Sequence, residues 1–171
     1  MTKKKLYLLS GIPGSGKSTW AHERVKKDGG TWISRDAIRF SLLKEEDDYF
    51  SLEDLVIEKF ISSIQAAIND SSISIIYVDA THLNKKARDS ILNKLDLTNI
   101  TKLICVYCDI DLKIALERNK KRTGRALVPD TVIKNMFFSH KMPDEDEDFD
   151  QIIIIDEQGN EVYINGYLSD I

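Results

Sequence analysis

Runs of consecutive apolar residues alternate along the chain with segments in which apolar residues recur at helical spacing. The apolar runs predict strands at residues 5–9, 31–34, 73–79, 103–109 and 151–156. The helical periods predict helices at residues 19–27, 36–43, 52–68, 85–95, 111–121 and 129–138. Strands that are apolar throughout are typical of a parallel sheet with helices on both faces. The pattern therefore predicts an α/β three-layer sandwich, with a short edge strand at 161–164 after a turn at 157–160.

The carboxyl ends of the predicted strands carry the polar residues of most chemical interest. Ligands of open α/β sheets bind beyond these strand ends. The first strand leads into a glycine-rich loop, the second ends in Ser34-Arg35-Asp36 and the third ends in Asp79. We therefore expect residues far apart in sequence to line one cleft.

The glycine-rich loop at residues 11–19, GIPGSGKST, fits the phosphate-binding pattern G-x-x-x-x-G-K-[ST] between a strand and a helix. Its backbone N–H groups and the positive helix end suit a triphosphate. Lys17 supplies a mobile charge for the outer phosphates and Ser18 a hydroxyl for Mg²⁺. The alternative is a glycine-rich turn that only caps the helix. The predicted nucleotide-binding residues of the loop are Gly11, Gly14, Ser15, Gly16, Lys17, Ser18 and Thr19.

Length and composition restrict the class of protein. The 171 residues suit one domain, residues 1–171, and 42% hydrophobic with 30% charged residues is an ordinary globular balance. No apolar run approaches a membrane span or the core of a signal peptide, so we expect a cytoplasmic protein without a membrane partner. The net charge of −4 gives no global attraction for nucleic acid, although residues 113–125 are locally basic.

Two aspartates follow predicted strands. Asp79 matches the Mg²⁺-supporting acid of phosphate-loop enzymes, although an aspartate also caps turns. Asp36, at the start of a helix, is the best candidate for the base that accepts a proton from an attacking hydroxyl. An acid there is also favoured by the helix dipole alone. Arg39, one turn later, would hold an anionic group of the acceptor or serve only as an i,i+3 partner of Asp36.

Arg118 and Arg122 lie four residues apart in a predicted helix and its continuation, which puts them on one face. Arginines often neutralise charge during phosphoryl transfer, and the segment 118–129 is typical of a lid. A basic, exposed helix end is the alternative. Cys105 and Cys108 lie three apart on a strand and face opposite sides of it, so we expect two ordinary thiols.

Four sequence blocks together resemble the polynucleotide 5′-hydroxyl kinases: GIPGSGKSTWA at 11–21, ISRDAIR at 33–39, VDATHLN at 78–84 and RNKKRTGRALVP at 118–129. Their order and spacing match the family from about residue 5 to residue 140. The third block departs from the family pattern D-T-N-L-N by one additional residue. A member of this family carries a phosphatase domain after its kinase domain. The 171 residues are too few for both domains, so we do not expect removal of a 3′-phosphate.

The resemblance implies a fold and a set of roles. The sheet would have five parallel strands in the order 2-3-1-4-5. Asp36 would be the general base, and Arg39 would contact a phosphate of the acceptor strand. Asp79 would support the metal with Ser18. The remaining implied roles fall to Lys17 on the triphosphate, Arg118 near the nucleobase, Arg122 on the phosphates and Val128 at the terminal acceptor base.

These observations predict a Mg²⁺-dependent kinase that moves the γ-phosphoryl group of ATP or GTP to the 5′-hydroxyl end of DNA or RNA. A small-molecule kinase of the same fold remains open, because the chain lacks net positive charge. A nucleotide-dependent switch also remains open. A switch needs no base to activate an acceptor, whereas a kinase does. A requirement for Asp36 would therefore distinguish a kinase from a switch.

Overall fold

A computed structural model describes residues 3–164, in which six strands form one sheet in the order β2-β3-β1-β4-β5-β6. The strands are β1 Lys5–Ser10, β2 Thr31–Ser34, β3 Ile75–Asp79, β4 Lys102–Cys108, β5 Gln151–Ile155 and β6 Glu161–Ile164. The helices are α1 Lys17–Asp28, α2 Arg35–Leu42, α3 Glu53–Asn69, α4 Lys85–Leu92, α5 Leu112–Lys120 and α6 Asp130–Ser139. A short 3₁₀ helix covers Gly124–Ala126.

The first five strands are parallel and have the predicted order, which confirms the α/β fold. The sheet has six strands rather than five, because the predicted edge strand pairs antiparallel with β5. Asp156 Oδ1 accepts hydrogen bonds from the backbone N–H groups of Gln158 at 2.9 Å and Asn160 at 2.8 Å, and so fixes the turn between them. A turn this short joins only antiparallel neighbours.

The strands bury both faces of the sheet, as their continuous apolar sequences require. Helices α3 and α4 pack with one face, and α1 packs with the other. Cys105 belongs to the first of these clusters and Cys108 to the second, so the two thiols face opposite sides as predicted. Burial raises the pKa of both thiols, Cys108 to about 12, so neither forms a thiolate readily.

Helices α1, α2, α4 and α5 follow the carboxyl ends of parallel strands, and local sequence explains where the first three of them begin. Gly16 precedes α1 with φ of 90°, a left-handed conformation that glycine adopts without strain. Ser34 Oγ caps α2 by accepting from Ala37 N at 3.1 Å, and Asn84 Oδ1 caps α4 by accepting from Ala87 N at 3.1 Å. The phosphate loop, α2 and α4 therefore start side by side.

No helix within residues 3–164 is long and apolar enough to cross a membrane.

Candidate active site

The phosphate loop is closed by its own backbone. Gly11 N donates to Thr81 O at 2.9 Å, and Ser15 N donates to Ile12 O at 3.1 Å. Gly14 has φ of 82°, and a Cβ there would lie 2.8 Å from the Ala115 carbonyl oxygen. A side chain at this position is excluded by both conformation and space. The glycine pattern therefore reflects the tight path of the chain.

The loop has groups suited to a phosphate. Ser15 Oγ is buried and has only the Cys108 thiol as a weak polar neighbour in the described chain. Lys17 is half-buried at the first position of α1, where the helix dipole also favours an anion. Ser18 and Thr19 follow it on the exposed side of the same turn. The predicted nucleotide-binding residues of the loop are thus together at one helix N-terminus.

Ser18 and Asp79 lie in direct contact. Ser18 Oγ donates to Asp79 Oδ2 at 2.7 Å, and the indole Nε1 of Trp32 donates to the same oxygen at 2.9 Å. Asp79 is 3% exposed and ends β3, while Trp32 lies in the neighbouring strand β2. Two hard oxygen donors beside a phosphate loop suit Mg²⁺, which keeps water and phosphate ligands for its other positions. Residues 3–164 contain no group of three or more His, Cys, Asp or Glu side chains that could hold a metal ion.

Asp36 lies in the first turn of α2 with its side chain 60% exposed. One of its oxygens, Oδ1, accepts hydrogen bonds from Arg39 Nη1 and from the Tyr49 hydroxyl, the latter at 2.8 Å. The carboxylate is therefore open to an incoming group but held in orientation. That combination suits a base that must accept a proton from a positioned hydroxyl.

Arg39 is enclosed rather than free. Its side chain is 3% exposed, and its Nη2 donates to both carboxylate oxygens of Glu53, at 2.8 and 2.7 Å. Its Nη1 also donates to the Tyr49 hydroxyl at 2.8 Å, and its guanidinium lies 4.3 Å from the centre of the Tyr49 ring. With these partners, Arg39 is occupied by protein groups. The geometry favours the i,i+3 pairing with Asp36 over the implied contact with an acceptor phosphate.

Tyr49 joins these groups through its hydroxyl. Burial, and then the negative charge of Asp36, raise the pKa of Tyr49 to about 12. The phenol therefore remains a hydrogen-bond donor at neutral pH. Neither Tyr49 nor Glu53 was predicted, because the pairing of α2 with the start of α3 leaves no local motif.

The lid residues are separated from one another. Arg118 Nη1 donates to Gly14 O at 3.3 Å and its Nη2 to Glu157 O at 2.6 Å, which places it over the phosphate loop. Arg122 lies beyond the end of α5 and is exposed. The two arginines therefore do not share one helical face. Val128 is fixed by Asn119, which bonds both its N–H at 3.1 Å and its carbonyl at 2.6 Å.

Arg125 contacts the acceptor side of the cleft. Its Nη2 donates to the carbonyl oxygens of Lys44 and Asp47, in the loop between α2 and α3. The segment that carries Arg122 is thus attached at one end to the phosphate loop, through Arg118, and at the other to the loop that follows the Asp36 helix. This arrangement is compatible with a lid across the cleft.

Comparison with known proteins identifies the family of this chain and one named relative. Residues 6–143 match a protein family described as AAA domain. A protein of Autographa californica nuclear polyhedrosis virus, provisionally named a bifunctional polynucleotide kinase/RNA ligase, is 31% identical over 152 residues. The match covers 78% of this chain but only 20% of the viral protein, so the chain spans about a fifth of that relative's length. This relative confirms the resemblance to polynucleotide kinases that we inferred from the motifs.

Two solved structures share the fold. One is a chain of the Pnkp1/Rnl/Hen1 RNA repair complex, with a TM-score of 0.68 and 22% identity over 81% of this chain and 44% of that one. The other is a sugar kinase from a Janibacter species, with a TM-score of 0.62 and 19% identity over 92% of this chain and 87% of that one. At these identities the likeness establishes only that the chain has the phosphate-loop fold of these kinases. It does not choose between a nucleic-acid and a sugar acceptor.

Proposed function

The chain belongs to the AAA domain family, and we propose that it is a polynucleotide 5′-hydroxyl kinase. The reaction is transfer of the γ-phosphoryl group of ATP or GTP to the 5′-hydroxyl end of DNA or RNA. We treat the chain as one kinase domain with a lid around residues 118–129. The observation that carries the proposal is the oriented, exposed carboxylate of Asp36 at the same edge of the sheet as a complete phosphate loop.

The chain's own residues account for the chemistry. Asp36 accepts the proton of the attacking hydroxyl while the hydroxyl oxygen forms a bond to the γ-phosphorus. The bond between the γ-phosphorus and the bridging oxygen breaks, and the nucleoside diphosphate leaves. Lys17 and the lid arginine Arg122 balance the negative charge on the moving group. Arg118, over the phosphate loop, keeps the nucleotide in place.

Ser18 and Asp79 are the residues that would hold Mg²⁺, one directly and the other directly or through water. The metal supplies charge neutralisation on the β- and γ-phosphates. Trp32 orients the Asp79 carboxylate through its indole N–H, at 2.9 Å from Oδ2. The hydrogen bond from Ser18 to Asp79 means that the two groups already point toward each other.

The named viral relative supports a nucleic-acid acceptor, because 78% of this chain aligns with it. A sugar or another small alcohol is the second candidate, favoured by the sugar kinase that aligns with 92% of the chain. The roles proposed for Lys17, Ser18, Asp36 and Asp79 are the same for both acceptors. The acceptor must therefore be determined directly.

The test uses ATP labelled at the γ-phosphate, Mg²⁺ and two acceptor classes: 5′-hydroxyl oligonucleotides and a panel of sugars. We expect label on the oligonucleotides, reduced about 10²–10⁴-fold by Asp36→Asn. The matched control is Asp28→Asn, at the exposed far end of α1. Label on sugars alone would replace the proposal with the second candidate. Hydrolysis without transfer, unaffected by Asp36→Asn, would indicate a switch.

A further inference from the structure

His82, in the turn between β3 and α4, has three features that cost free energy in a folded chain. It is the one non-glycine residue with positive φ in the described chain, at 38°. It is only 3% exposed, and its ring nitrogen Nε2 has no hydrogen-bond partner among residues 3–164. Strained backbone and buried, unpaired polar atoms concentrate at functional sites. The turn therefore points to a role beyond packing.

The chemical state of the His82 ring follows from its surroundings. Nδ1 lies 2.6 Å from the Leu9 carbonyl oxygen, which can only accept, so Nδ1 carries the proton. Burial lowers the pKa of His82 to about 3, and the nearby cations Arg35, Lys17 and Arg88 act in the same direction. The ring is neutral at physiological pH. Its Nε2 consequently offers a lone pair and acts as a hydrogen-bond acceptor.

Arg35 has an unpaired hydrogen-bond donor that complements the unpaired acceptor of His82. Its Nε–H is buried without a partner, and its side chain makes no hydrogen bond within residues 3–164. Burial and the charge of Arg39 lower the pKa of Arg35, while the charges of Glu53 and Asp36 act in the opposite direction. Arg35 is thus a half-buried cation adjacent in sequence to Asp36. Arg39 also has an unpaired Nε, but both of its terminal nitrogens are hydrogen-bonded to protein groups.

Arg35 and His82 line the same cavity, which has a volume of about 180 Å³. Phe60 and Ile91 contribute apolar surface to it, and no carboxylate lines it. An unpaired donor and an unpaired acceptor at one cavity match a hydroxyl group, which accepts one hydrogen bond and donates another. Both nitrogens are covered in this conformation, so a rotation of the unrestrained Arg35 side chain is needed to admit a hydroxyl between them.

We propose, on the basis of the kinase function proposed above, that this cavity binds a second hydroxyl of the acceptor, the ribose 2′-hydroxyl of the 5′-terminal nucleotide. Arg35 Nε donates to its oxygen, and the hydroxyl donates to His82 Nε2. The cavity is suitably placed, because Arg35 directly precedes Asp36 in α2 and His82 lies three positions after Asp79, at the same edge of the sheet. The kinase therefore prefers RNA ends to DNA ends.

The test compares kcat/KM for three 5′-hydroxyl oligonucleotides of equivalent sequence: RNA, DNA, and RNA with 2′-deoxyribose only at the first nucleotide. We expect the RNA to be preferred about tenfold or more, and the singly deoxy RNA to behave like DNA. His82→Asn and Arg35→Met should bring the RNA-to-DNA ratio close to one. Lys86→Ala, an exposed residue of α4, should keep the wild-type ratio. Equal use of RNA and DNA by the unmodified protein would overturn the proposal.

Asparagine tolerates positive φ, so His82→Asn should fold, and its thermal unfolding and ATP binding provide the check. A variant that unfolds at a lower temperature but keeps the wild-type RNA-to-DNA ratio would also overturn the proposal. If only a sugar is phosphorylated, the proposed function fails separately. The cavity is then tested with that sugar and its deoxy analogue. Loss of that discrimination in His82→Asn would support hydroxyl binding, and its retention would refute it.

Discussion

The two halves of the cleft are built in different ways. The proposed donor half, around the phosphate loop, is closed by backbone hydrogen bonds such as Gly11 N to Thr81 O at 2.9 Å, and seven of its predicted nucleotide-binding residues lie within nine positions of sequence. The acceptor half depends on side chains from α2, the following loop and α3, which meet at Arg39. A substitution in the donor half should affect every reaction of the protein. One in the acceptor half should affect transfer alone.

The largest expected effect comes from the donor half. Lys17→Ala removes the mobile charge on the outer phosphates, so we expect transfer to any acceptor to fall by about 10³-fold, together with any slow ATP hydrolysis. Asp36→Asn should reduce transfer but leave ATP hydrolysis and ATP binding largely intact. Transfer and hydrolysis are measured side by side with γ-labelled ATP.

Lys26→Ala, in the last turn of the same helix, is the matched control and should behave as the unmodified protein. If Lys17→Ala and Asp36→Asn lowered hydrolysis equally, the distinction between a donor and an acceptor half would fail.

Arg39 provides the next test, because two roles for it predict different kinetics. If it positions Asp36 and Tyr49, as its hydrogen bonds indicate, Arg39→Met should lower kcat about 100-fold for every acceptor and leave the acceptor KM little changed. If it bound an acceptor phosphate, KM would rise for oligonucleotides but not for a phosphate-free acceptor. Steady-state kinetics with an oligonucleotide and a simple nucleoside separate the two.

Glu53→Gln is the companion variant, since it keeps the shape of the partner but removes its charge. Arg39 bonds both Glu53 oxygens, at 2.8 and 2.7 Å, and an amide oxygen can accept at only one of these positions. We expect the same kinetic signature with a smaller loss. A change confined to KM in both variants would favour the phosphate-binding role.

The free energy of unfolding should decrease in acid, because two buried histidines lie near the cleft. Burial lowers the pKa of His82 to about 3 and of His140 to about 4, so both rings are neutral in the folded protein. In the unfolded chain they take up protons near pH 6.5. The unfolded state therefore binds more protons as pH falls from about 6.5 toward 4, and stability is lost in that window. The expected slope approaches about 1.4 kcal/mol per pH unit for each histidine.

Urea unfolding at pH 7, 6 and 5 measures this slope. His140, whose Nε2 lies 3.0 Å from Ser10 Oγ, is outside the proposed acceptor cavity, so His140→Gln should remove about half of the slope without altering acceptor preference. A slope unchanged in both His140→Gln and His82→Asn would mean that carboxylates cause the acid sensitivity.

The same contrast explains what could be predicted from sequence. The strand order was predicted from the resemblance to a known family, whereas the positions of Lys17, Ser18 and Asp79 at one sheet edge follow from local motifs and the rules of parallel sheets. Trp32 and Tyr49 were not predicted as site residues, because their polar contacts are with Asp79 and Asp36, 47 and 13 positions away. Long-range side-chain pairing carries no periodic signal in a single sequence.

The helix boundaries illustrate a second limit. The first helix was predicted to begin at residue 19 but begins at Lys17, because the left-handed Gly16 caps it directly after the loop. The predicted 111–121 helix ends at Lys120, which leaves Arg122 in the lid rather than on the face that carries Arg118. Helix ends depend on individual backbone conformations, which hydrophobic periodicity does not encode.

Tyr49→Phe should have the smallest effect, because it removes only one hydroxyl from the acceptor half. The ring can still pack 4.3 Å from the Arg39 guanidinium, but the hydroxyl's bond to Asp36 Oδ1 and the bond it accepts from Arg39 Nη1, each 2.8 Å, are lost. One charge-assisted hydrogen bond contributes about 1–2 kcal/mol, and Arg39 still holds Asp36, so we expect kcat to fall about fivefold with the KM for ATP unchanged. Tyr163→Phe, on the edge strand β6, is the matched control and should keep full activity. Because Asp36 is held by two donors, equal activity of Tyr49→Phe and Tyr163→Phe would mean that Arg39 alone orients the base, and the acceptor network would then reduce to the Asp36–Arg39–Glu53 chain.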